Sequence, residues 1–441
     1  MANTNINKPF ASSGNVKKWT WSFWFKRSKL GTDQTISTTY LSSSYEDRFA
    51  FNGNDQIDWY SFQGGSYSNG GRLNTNRVFR DTNAWYHVVL RWDTGNSTAN
   101  DRMKIWINGV EETSFANRTN PATNRESLFN YGDNSQQWII GSTNDVHYYD
   151  GSISHMHFCD GQSYQASDFG STDSTTGEWK INTSPSITMG TNGFTILKDG
   201  ITITDQSSNS NDWSLRGGTL TKTEDCPSNV FATMNSLDKN TNVVLTNGNT
   251  TSYSSANNTW VAANKATLGI AKDKFYWEMK ITGSGTANGL FFGVCADTVT
   301  LITSQGIQDN ATEKAKGVLV FCDDGRYQLD TNSRVNMTSA PAFNDVLGCA
   351  VDRDNNTVKF YKNGSEVGSI NISSSPLATC SHIMPFMINF YTNTKFNFNF
   401  GNGAFGTTQL TGTTYQATGL GIFKHQPPSG YTALCTKGLN L

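Results

Sequence analysis

The chain has 441 residues, of which 12% are aromatic and only 16% are charged, with a formal net charge of -2. Disordered chains lack so many aromatic groups, so the composition indicates folded domains, and the length predicts two or three of them. Because no block of Lys and Arg stands out, the sequence lacks the electrostatic footprint of a nucleic-acid-binding protein, and we predict no nucleic-acid partner.

The N-terminal stretch and the cysteines bear on where the protein is made. The stretch MANTNINKPF has no apolar core of the kind found in secretory signals, and no run of 18 apolar residues predicts a membrane span. The seven cysteines are isolated and odd in number, which favours free thiols in a reducing cytosol over a disulfide framework. We therefore expect synthesis in a cytoplasm, without insertion into a membrane.

The first strong strand signal is the alternating stretch WTWSFWFKRS, residues 19–28. Successive side chains of a strand point to opposite faces, so one set of four aromatic residues should face a core. That set consists of Trp19, Trp21, Phe23 and Phe25. Trp24 is then an aromatic residue on the polar face.

Two hairpins of similar sequence lie in the two halves of the chain. MKIWINGVEE (residues 103–112) and VKFYKNGSEV (residues 358–367) both place a basic residue, an aromatic residue and then Asn-Gly at matching offsets. Asn-Gly suits a type I′ turn, because both central residues need a positive φ. An apolar strand, an aspartate and a polar loop precede each hairpin. We therefore predict an all-β protein made of two antiparallel β-sandwiches in tandem.

The first half resembles the laminin G-like, concanavalin A-like family over about residues 8–200. The resemblance is carried by WTWSFWFKRS, AWYHVVLRWD, DRMKIWINGVEETSF, WIIGS and DGSISHMHFCDGQSYQASDFG. It implies a jelly-roll sandwich, which we assign to residues 1–204.

The second half is similar to a SPRY domain over about residues 255–435. The stretches DKFYWEMKIT, FFGVCAD, GVLVFCDDGRYQLD, DVLGCAVDRDNNTVKFYKNGSEVGS and FNFNFGNGAFG carry this similarity. It implies a second sandwich in residues 255–441, with partners held by loops at one end. The matching loops here would be CDDGRYQLD (residues 322–330) and DTVTLITSQGIQDN (residues 297–310).

Residues 205–254 are poor in apolar runs and are predicted to form a connector. This segment and the order of the domains resemble virion structural proteins of marine bacteriophages and some algal viruses. The resemblance implies a tail-fibre, spike or capsid-decoration subunit on the virion surface. Its partners would be other virion proteins, a host-surface glycan or receptor, and further copies of itself in a homo-oligomer, for which a trimer is the guess from that class. Many copies would convert weak contacts into avidity.

No catalytic motif stands out in the sequence, so we predict a protein that is not an enzyme. Glycoside hydrolases on this scaffold place paired carboxylates on one strand face, whereas Glu46 and Asp47 are adjacent and should face opposite ways. Asp352 and Asp354 alternate, but they fall at a hairpin loop, where turn capping explains them. A glycan depolymerase on a concanavalin A-like scaffold and a peptide-binding SPRY adaptor are the alternatives.

Two groups of residues could bind a metal ion. In HMHFC (residues 155–159) the histidines and the cysteine share a strand face, but no fourth ligand is evident. The resemblance puts Met156 and Phe158 in the core and leaves the histidines on the outer face. Some laminin G-like domains bind Ca²⁺ at the rim of the sandwich, and the weak candidates for this role are Asp93, Asp101 and Asp150. We predict no other cofactor.

Sugar binding needs aromatic platforms beside hydrogen-bonding groups. DWYSFQGGSYSNGG (residues 58–71) reads as a Gly/Ser-rich loop with aromatic residues, and NDVHYYDG (residues 144–151) has two tyrosines before a turn. The candidate glycan-binding residues are therefore Trp59, Tyr60, Tyr67, Tyr148 and Tyr149. The alternative is that they cover the ends of the sandwich or pack on a neighbouring subunit.

Overall fold

The computed structural model of the protein describes residues 3–132, 137–257, 262–284, 289–301, 310–330 and 332–440. The protein is nearly all-β, with 47% strand and 4% helix. It divides into two compact units, Met1–Leu220 and Thr221–Leu441. The predicted fold class is therefore confirmed. In the described part of the chain, no helix is long and apolar enough to cross a membrane.

The strands of the first unit pair in antiparallel fashion. In chain order they are β1 (Asn5–Lys8), β2 (Lys18–Arg27), β3 (Gln34–Ser42), β4 (Tyr45–Phe51), β5 (Gln56–Gln63), β6 (Ser66–Val78), β7 (Tyr86–Asp93), β8 (Met103–Ile107), β9 (Val110–Glu111), β10 (Phe115–Thr119), β11 (Trp138–Ile140), β12 (Gly151–Asp160), β13 (Gly170–Thr172), β14 (Trp179–Ile181), β15 (Phe194–Ile196) and β16 (Ser214–Gly217). Within residues 3–132 and 137–220, eight of them form a sheet in the order β10-β6-β5-β4-β3-β11-β1-β16. A six-stranded sheet has the order β15-β12-β2-β7-β8-β9. Short 3₁₀ turns cover Ala99–Asp101 and Ala166–Asp168.

The core of the first unit is built largely from aromatic side chains of both sheets. The alternating set predicted from residues 19–28 is fully buried, which confirms which face of β2 points inward. Trp19 stacks on Trp92 with ring centroids 6.2 Å apart and contacts Trp59 at 5.8 Å. Offset and edge-to-face contacts of this kind add to the free energy gained by burying the rings.

A second apolar layer covers the outer face of the six-stranded sheet. Trp24 lies on this face, as predicted, but it is only 4% exposed. Its ring stacks on His87 at 4.9 Å, and Trp179 of β14 stacks on the same imidazole at 5.9 Å. Phe169 is buried on this face in a small cluster with Val89, Trp106, Cys159 and Ala166. Residues after β12 therefore cover a sheet face that the sequence pattern marks as polar.

The described residues of the second unit form two large sheets and two short hairpins. Its strands are β17 (Met234–Lys239), β18 (Val243–Thr246), β19 (Thr251–Ser254), β20 (Ala263–Ala266), β21 (Lys274–Gly283), β22 (Leu290–Ala296), β23 (Gly317–Phe321), β24 (Arg326–Leu329), β25 (Val335–Asn336), β26 (Val346–Asp352), β27 (Thr357–Lys362), β28 (Ser365–Asn371), β29 (Ile383–Asn389), β30 (Thr394–Asn399), β31 (Ala404–Phe405), β32 (Thr408–Gln409), β33 (Tyr415–Ala417), β34 (Leu420–Phe423) and β35 (Thr432–Ala433). A seven-stranded sheet has the order β17-β20-β29-β22-β23-β24-β25. The other has the order β18-β19-β30-β21-β26-β27-β28, and β35 adds to β21 in parallel.

Short helical turns and a buried glutamate complete the second unit. The helix α1 covers Ala311–Lys314, and 3₁₀ turns cover Pro376–Ala378 and Gly438–Asn440. The carboxylate of Glu278, in the middle of β21, accepts hydrogen bonds from the backbone N–H groups of Lys424 at 2.8 Å and His425 at 2.7 Å. These bonds hold the segment after β34 against the sheet.

Both Asn-Gly hairpins have the predicted turn. Asn108 and Gly109 have φ values of 47° and 83°, and Asn363 and Gly364 have values of 48° and 87°. Positive φ at both central residues defines the type I′ turn. The prediction that each half of the chain uses the same turn in its own sandwich is therefore confirmed.

The structure divides residues 205–254, expected to be a connector, between the two units. Strand β16 pairs with β1, and Trp213 just before it is 3% exposed in the core of the first unit. Strands β17, β18 and β19 belong to the sheets of the second unit. Strands at or near a sheet edge need few apolar residues, so their sequences lack the long apolar runs by which strands are recognised.

Candidate functional site

The outer face of the eight-stranded sheet carries a group of aromatic and charged side chains. In β4 and β5, Phe49 and Trp59 point into the core, so the alternation places Arg48 and Tyr60 on the outer face. We call this group the aromatic–arginine patch. It consists of Tyr40, Glu46, Arg48, Asp58, Tyr60, Phe62, Tyr67 and Arg72.

The strand register brings these residues into adjacent rows. One row across β3, β4, β5 and β6 contains Thr38, Arg48, Tyr60 and Arg72. The next row toward the hairpin ends contains Tyr40, Glu46 and Phe62. Residues directly opposite each other on one face are close enough for their side chains to interact.

Glu46 and Tyr60 are joined across the two rows. The Tyr60 hydroxyl donates to Oε2 of Glu46 at 2.8 Å, and the Thr38 hydroxyl donates to Oε1 at 3.2 Å. Burial, together with the charge of Glu46, raises the pKa of Tyr60 far above its usual range. Tyr60 therefore stays a protonated hydrogen-bond donor at physiological pH.

Arg72 and Tyr67 form the second fixed part of the patch. Arg72 donates to both carboxylate oxygens of Asp58, from Nε at 2.8 Å and from Nη2 at 2.7 Å. These hydrogen bonds raise the pKa of Arg72. Its guanidinium lies 4.6 Å from the ring centroid of Tyr67, and the Tyr67 ring makes edge contacts with Tyr60 at 5.2 Å and Phe62 at 4.9 Å. The half-buried Tyr67 ring is therefore held from several sides.

Arg48 is held differently. Its Nε donates to the Thr35 hydroxyl at 2.7 Å, and Thr35 in turn forms a hydrogen bond of 2.6 Å with Thr143. The guanidinium also lies beside the Tyr60 hydroxyl. It is half-buried, and among the described residues no carboxylate lies within ion-pair distance of it.

The patch combines an accessible aromatic surface with hydrogen-bonding groups. Tyr40 is 40% exposed, and Tyr67 and Phe62 are half-buried. The neighbouring groups of Arg48, Glu46 and Asp58 are polar and fixed by hydrogen bonds. Flat rings beside fixed polar groups can stack on an apolar face of a sugar and orient its hydroxyls.

The five predicted glycan-contacting residues have different environments. Trp59 is 1% exposed and lies in the core, and the segment expected to be a loop forms strands β5 and β6, joined at Gly64 and Gly65. A ligand therefore cannot stack on Trp59. Tyr60 is 7% exposed and offers its edge and hydroxyl, and Tyr67 is the better exposed of this group.

The two tyrosines after β11 lie elsewhere in the first unit. The Tyr149 hydroxyl donates to the backbone carbonyl of Lys26 at 2.8 Å, and its ring stacks on Phe51 at 6.4 Å, so Tyr149 is structural. Tyr148 is half-buried and forms an isolated bridge with Thr35 of β3. The hydroxyl of the same Thr35 accepts from Arg48, so the backbone of Tyr148 lies beside a residue that holds the patch.

Sequence reasoning missed the charged half of the patch and Tyr40. A signal for it exists in YEDRFAF of β4, where Glu46 and Arg48 alternate with residues that point to the core. The missing information is which strands lie beside β4, since only the order β6-β5-β4-β3 brings Arg72 and Tyr40 into the same patch.

Glu46 and Asp47 face opposite ways, as predicted. Glu46 is on the outer face, whereas Asp47 is 2% exposed on the inner side. Oδ2 of Asp47 accepts hydrogen bonds from the Ser127 hydroxyl at 2.5 Å and from the backbone N–H of Leu128 at 2.7 Å. Burial raises the pKa of Asp47 to about 6. This carboxyl group fixes a loop and is remote from solvent.

The three weak Ca²⁺ candidates do not form one site. Asp93 lies opposite Lys18 at the start of β2, whereas Asp150 bonds the backbone of Ser28 just past the end of the same strand. Asp101 forms an ion pair of 2.8 Å with Lys104. Over the described ranges, no group of three or more His, Cys, Asp or Glu side chains is placed to hold a metal ion. The three aspartates therefore do not converge on one ion.

The HMHFC stretch also has a structural role. Met156 and Phe158 are buried in the core, which confirms their predicted orientation. A bulge after Ser154 interrupts β12, and His155 has a φ of 46°. His157 is buried, shares a hydrogen bond of 2.9 Å with Thr195, and burial lowers its pKa to about 3.

Asp352 of DRDNN caps its turn, as predicted, whereas Asp354 bonds the backbone of another loop. Asp352 accepts from both the backbone and the side chain of Asn355 and pairs with Lys274 at 3.0 Å. Asp354 accepts from the backbone N–H of Asp273 at 3.1 Å.

The two loops expected to bind partners in the second unit are described in part. In residues 322–330, Asp324 forms ion pairs with Arg326 and Arg334, and the Arg334 guanidinium lies 3.7 Å from the ring centroid of Phe321. Of the loop at residues 297–310, the stretch 302–309 lies outside the described residues.

Comparison with known families gives two matches. Residues 3–167 match the concanavalin A-like lectin/glucanases superfamily, and residues 274–403 match the SPRY domain. No curated protein matches the chain.

Several solved structures are also similar to parts of the chain. The SPRY domain of human HERC1 is 15% identical with a TM-score of 0.31, and the match covers 37% of this chain and 96% of that one. A human SPRY domain is 17% identical with a TM-score of 0.27, covering 36% and 94%. The native heptameric SAP-like pentraxin from Limulus polyphemus is 11% identical with a TM-score of 0.28, covering 42% and 89%.

Proposed function

We propose that this chain, in which a concanavalin A-like domain precedes a SPRY domain, is a non-enzymatic adhesion protein that contacts glycans through the aromatic–arginine patch. Domains of these two kinds are typically binding or structural. Fold alone does not assign function, so the proposal depends on the patch itself.

The observation that carries the proposal is the fixed, accessible ring of Tyr67. Phe62 and Tyr60 contact its edges, Arg72 lies over it, and Tyr40, 40% exposed, is in the neighbouring row. A ring that is already ordered loses little conformational entropy when a sugar stacks on it. Aromatic side chains grouped on the outer face of a sheet are also typical of surfaces that bind other molecules.

The place of action that we propose is the surface of a virion, as a fibre, spike or capsid-decoration subunit. The support is the sequence resemblance of the domain order and of residues 205–254. On a particle, many copies would bind a host-surface glycan together, so weak single contacts would suffice for attachment.

The second unit supports an additional role in binding protein partners. SPRY domains generally mediate protein–protein interactions. Here Asp324 of the loop after β23, Arg326 at the start of β24 and Arg334 just before β25 form a compact charged group. We propose that this unit contacts sister proteins, including other copies of the chain.

A glycan depolymerase is the competing function. It needs two carboxyl groups that flank one glycosidic bond, one of them free to accept or donate a proton. On the patch, both oxygens of Asp58 accept from Arg72, and both oxygens of Glu46 accept from hydroxyls. This arrangement favours binding over hydrolysis.

The test is titration of the full chain with host-envelope polysaccharide, followed by the same titration of Tyr67→Ala and Tyr40→Ala. We expect each variant to bind roughly fivefold more weakly, since one stacking contact contributes on the order of 1 kcal/mol. The matched control is Tyr164→Ala, which removes a half-buried tyrosine that packs on Phe169 at the outer face of the six-stranded sheet. Release of reducing ends during the titration would show that the chain cleaves the polysaccharide, and the depolymerase function would then replace the adhesion proposal. Equal binding by all four proteins would show that the patch is not the glycan surface.

A further inference from the structure

We propose that Arg48 recognises an acidic group, a carboxylate or sulfate, on the glycan that the aromatic–arginine patch binds. This inference rests on the proposed function and specifies its ligand class.

The first step is the contrast between the two arginines of the patch. Arg72 is paired with Asp58 through two hydrogen bonds. Arg48 has no such partner among the described residues, although it is half-buried in the middle of the sheet face. Partly burying a guanidinium without a direct ion pair costs free energy, and an ion pair with an anionic group of the ligand would offset part of that cost.

The nearby carboxylates are engaged elsewhere. Glu46 accepts from Tyr60 and Thr38, one hydroxyl on each of its two oxygens. Asp58 uses both oxygens for Arg72. Neither carboxylate forms an ion pair with Arg48, and both are held in other directions by these hydrogen bonds.

The side chain of Arg48 is also fixed in place. Its Nε is bound to Thr35, which is itself hydrogen-bonded to Thr143. One side of the guanidinium lies beside the Tyr60 hydroxyl, so an oxygen acceptor such as a carboxylate or a sulfate would reach the terminal N–H groups that face away from Tyr60. Preorganisation of this kind lowers the entropic cost of binding.

The position of Arg48 fits a sugar ring on Tyr67. Arg48, Tyr60 and Arg72 lie side by side in one row of the sheet, with the Tyr67 ring against Tyr60 and Arg72. Adjacent strands are about 5 Å apart, which is close to the length of one pyranose residue. A stacked sugar on Tyr67 would thus bring an acidic group of the same or the next residue to Arg48.

The experiment compares a short oligouronate with its carboxyl-reduced counterpart, in which each carboxylate is replaced by a neutral hydroxymethyl group. For the wild-type chain we expect the oligouronate to bind about tenfold more tightly, because a charge-assisted hydrogen bond replaces a neutral one. Arg48→Gln should bind both sugars with the affinity that the wild type has for the reduced sugar. Arg48→Lys should retain part of the preference, because its charge persists without the planar fork.

The matched control is Arg118→Gln. Arg118 lies in β10 of the same sheet and pairs in register with the core residue Leu73, and its guanidinium bonds Asn120 and the backbone of Asn100. Its loss should leave the preference unchanged. Thermal unfolding of every variant verifies that it is folded. If Arg48→Gln does not fold, the role of Arg48 is judged from the preference of Arg48→Lys for the oligouronate over the reduced sugar, compared with that of the wild type.

The outcomes separate the two proposals. Equal binding of both sugars by the wild type would overturn the role of Arg48 and leave glycan adhesion intact. Binding of neither sugar, with polysaccharide titration also negative, would overturn both. A preference that persists in Arg48→Gln would assign the acidic group to another residue. If a polyglutamate peptide bound more tightly than the oligouronate, the ligand of the patch would be an acidic protein and the glycan proposal would be wrong.

Discussion

The side-chain oxygen of Asn108 accepts a hydrogen bond of 2.7 Å from the backbone N–H of His87, while the backbone N–H of Asn108 donates to the carbonyl of the same His87 at 2.9 Å. Asn363 makes the same pair of bonds with Val346, at 2.9 and 2.8 Å. In both units the turn asparagine therefore forms two hydrogen bonds with the backbone of the residue that directly precedes the first paired residue of the neighbouring strand. The asparagine is required for its side chain as well as for its tolerance of positive φ.

Replacing Asn108 should therefore destabilise the first unit through an unsatisfied N–H. We expect Asn108→Ala to lower the free energy of unfolding by about 2 kcal/mol, from the lost hydrogen bond and from alanine at positive φ. Asn108→Asp keeps an acceptor oxygen and tolerance of this conformation, so it should cost less than half as much. Urea unfolding of both variants measures the difference. An equal loss in the two would mean that the side-chain bond contributes nothing.

Gly109, the other turn residue, is constrained twice. Its φ is 83°, and a Cβ there would lie 2.3 Å from the ring of Trp179. Gly177 has a φ of 74°, and no atom lies within 4 Å of a Cβ built there. Gly177→Ala therefore measures only the cost of placing alanine at positive φ, without a steric clash. We expect Gly177→Ala to cost about 1 kcal/mol and Gly109→Ala at least twice that, because Trp179 must move off the sheet. Similar unfolding free energies for the two variants would refute the packing contribution.

Asp47 should give the first unit a characteristic pH dependence. Burial raises its pKa in the folded state to about 6, from an ordinary value of 3.8. The folded chain then binds more protons than the unfolded chain between these values, so the contribution of Asp47 to stability falls as the pH rises from about 4 to about 6. The difference is on the order of 3 kcal/mol.

The comparison that isolates this effect is Asp47→Asn. The variant keeps an oxygen for the N–H groups of Leu128 and Phe129 but has no titration. The wild-type free energy of unfolding minus that of the variant, measured in urea at pH 4, 5, 6 and 7, should decrease with pH. A flat difference would show that the carboxyl group titrates normally.

Asp55 balances a buried charge in the same unit. Arg27 is fully buried and pairs with Asp55 at 3.0 Å, and Arg80, which is largely exposed, pairs with the same carboxylate. Asp55→Ala should lower the free energy of unfolding by about 3–5 kcal/mol, because it leaves Arg27 buried without a counter-charge. Arg80→Ala, at the solvent side of the same group, should cost less than about 1 kcal/mol. Equal costs would indicate that water reaches Arg27 readily.

Asp58 should affect ligand binding more than folding. It is the group that holds Arg72 over the Tyr67 ring, at the outer surface of the sheet. Asp58→Ala should weaken polysaccharide binding several-fold, since both Arg72 and Tyr67 become less ordered. Its thermal unfolding should shift by only a few degrees. Unchanged binding would mean that Tyr67 does not depend on Arg72 for its orientation.

Local patterns in the sequence determined the class of the protein and several of its details. Strict alternation in residues 19–28 identifies the inward face of β2, and Asn-Gly identifies both type I′ turns. Glu46 and Asp47 lie on opposite faces for the same reason, because side chains alternate within any strand. These features depend on neighbouring residues alone, so a single sequence suffices to predict them.

Only the tertiary structure decided which strands lie together and what covers each face. It places Trp59 in the core and Tyr67 outside, because the predicted loop is a hairpin whose register is set by β4 and β6. It divides residues 205–254 between two sheets, where edge strands require few apolar residues. It also assembles Arg48, Tyr60 and Arg72 from three strands. Pairing between distant segments depends on packing over the whole domain, and no local pattern encodes it.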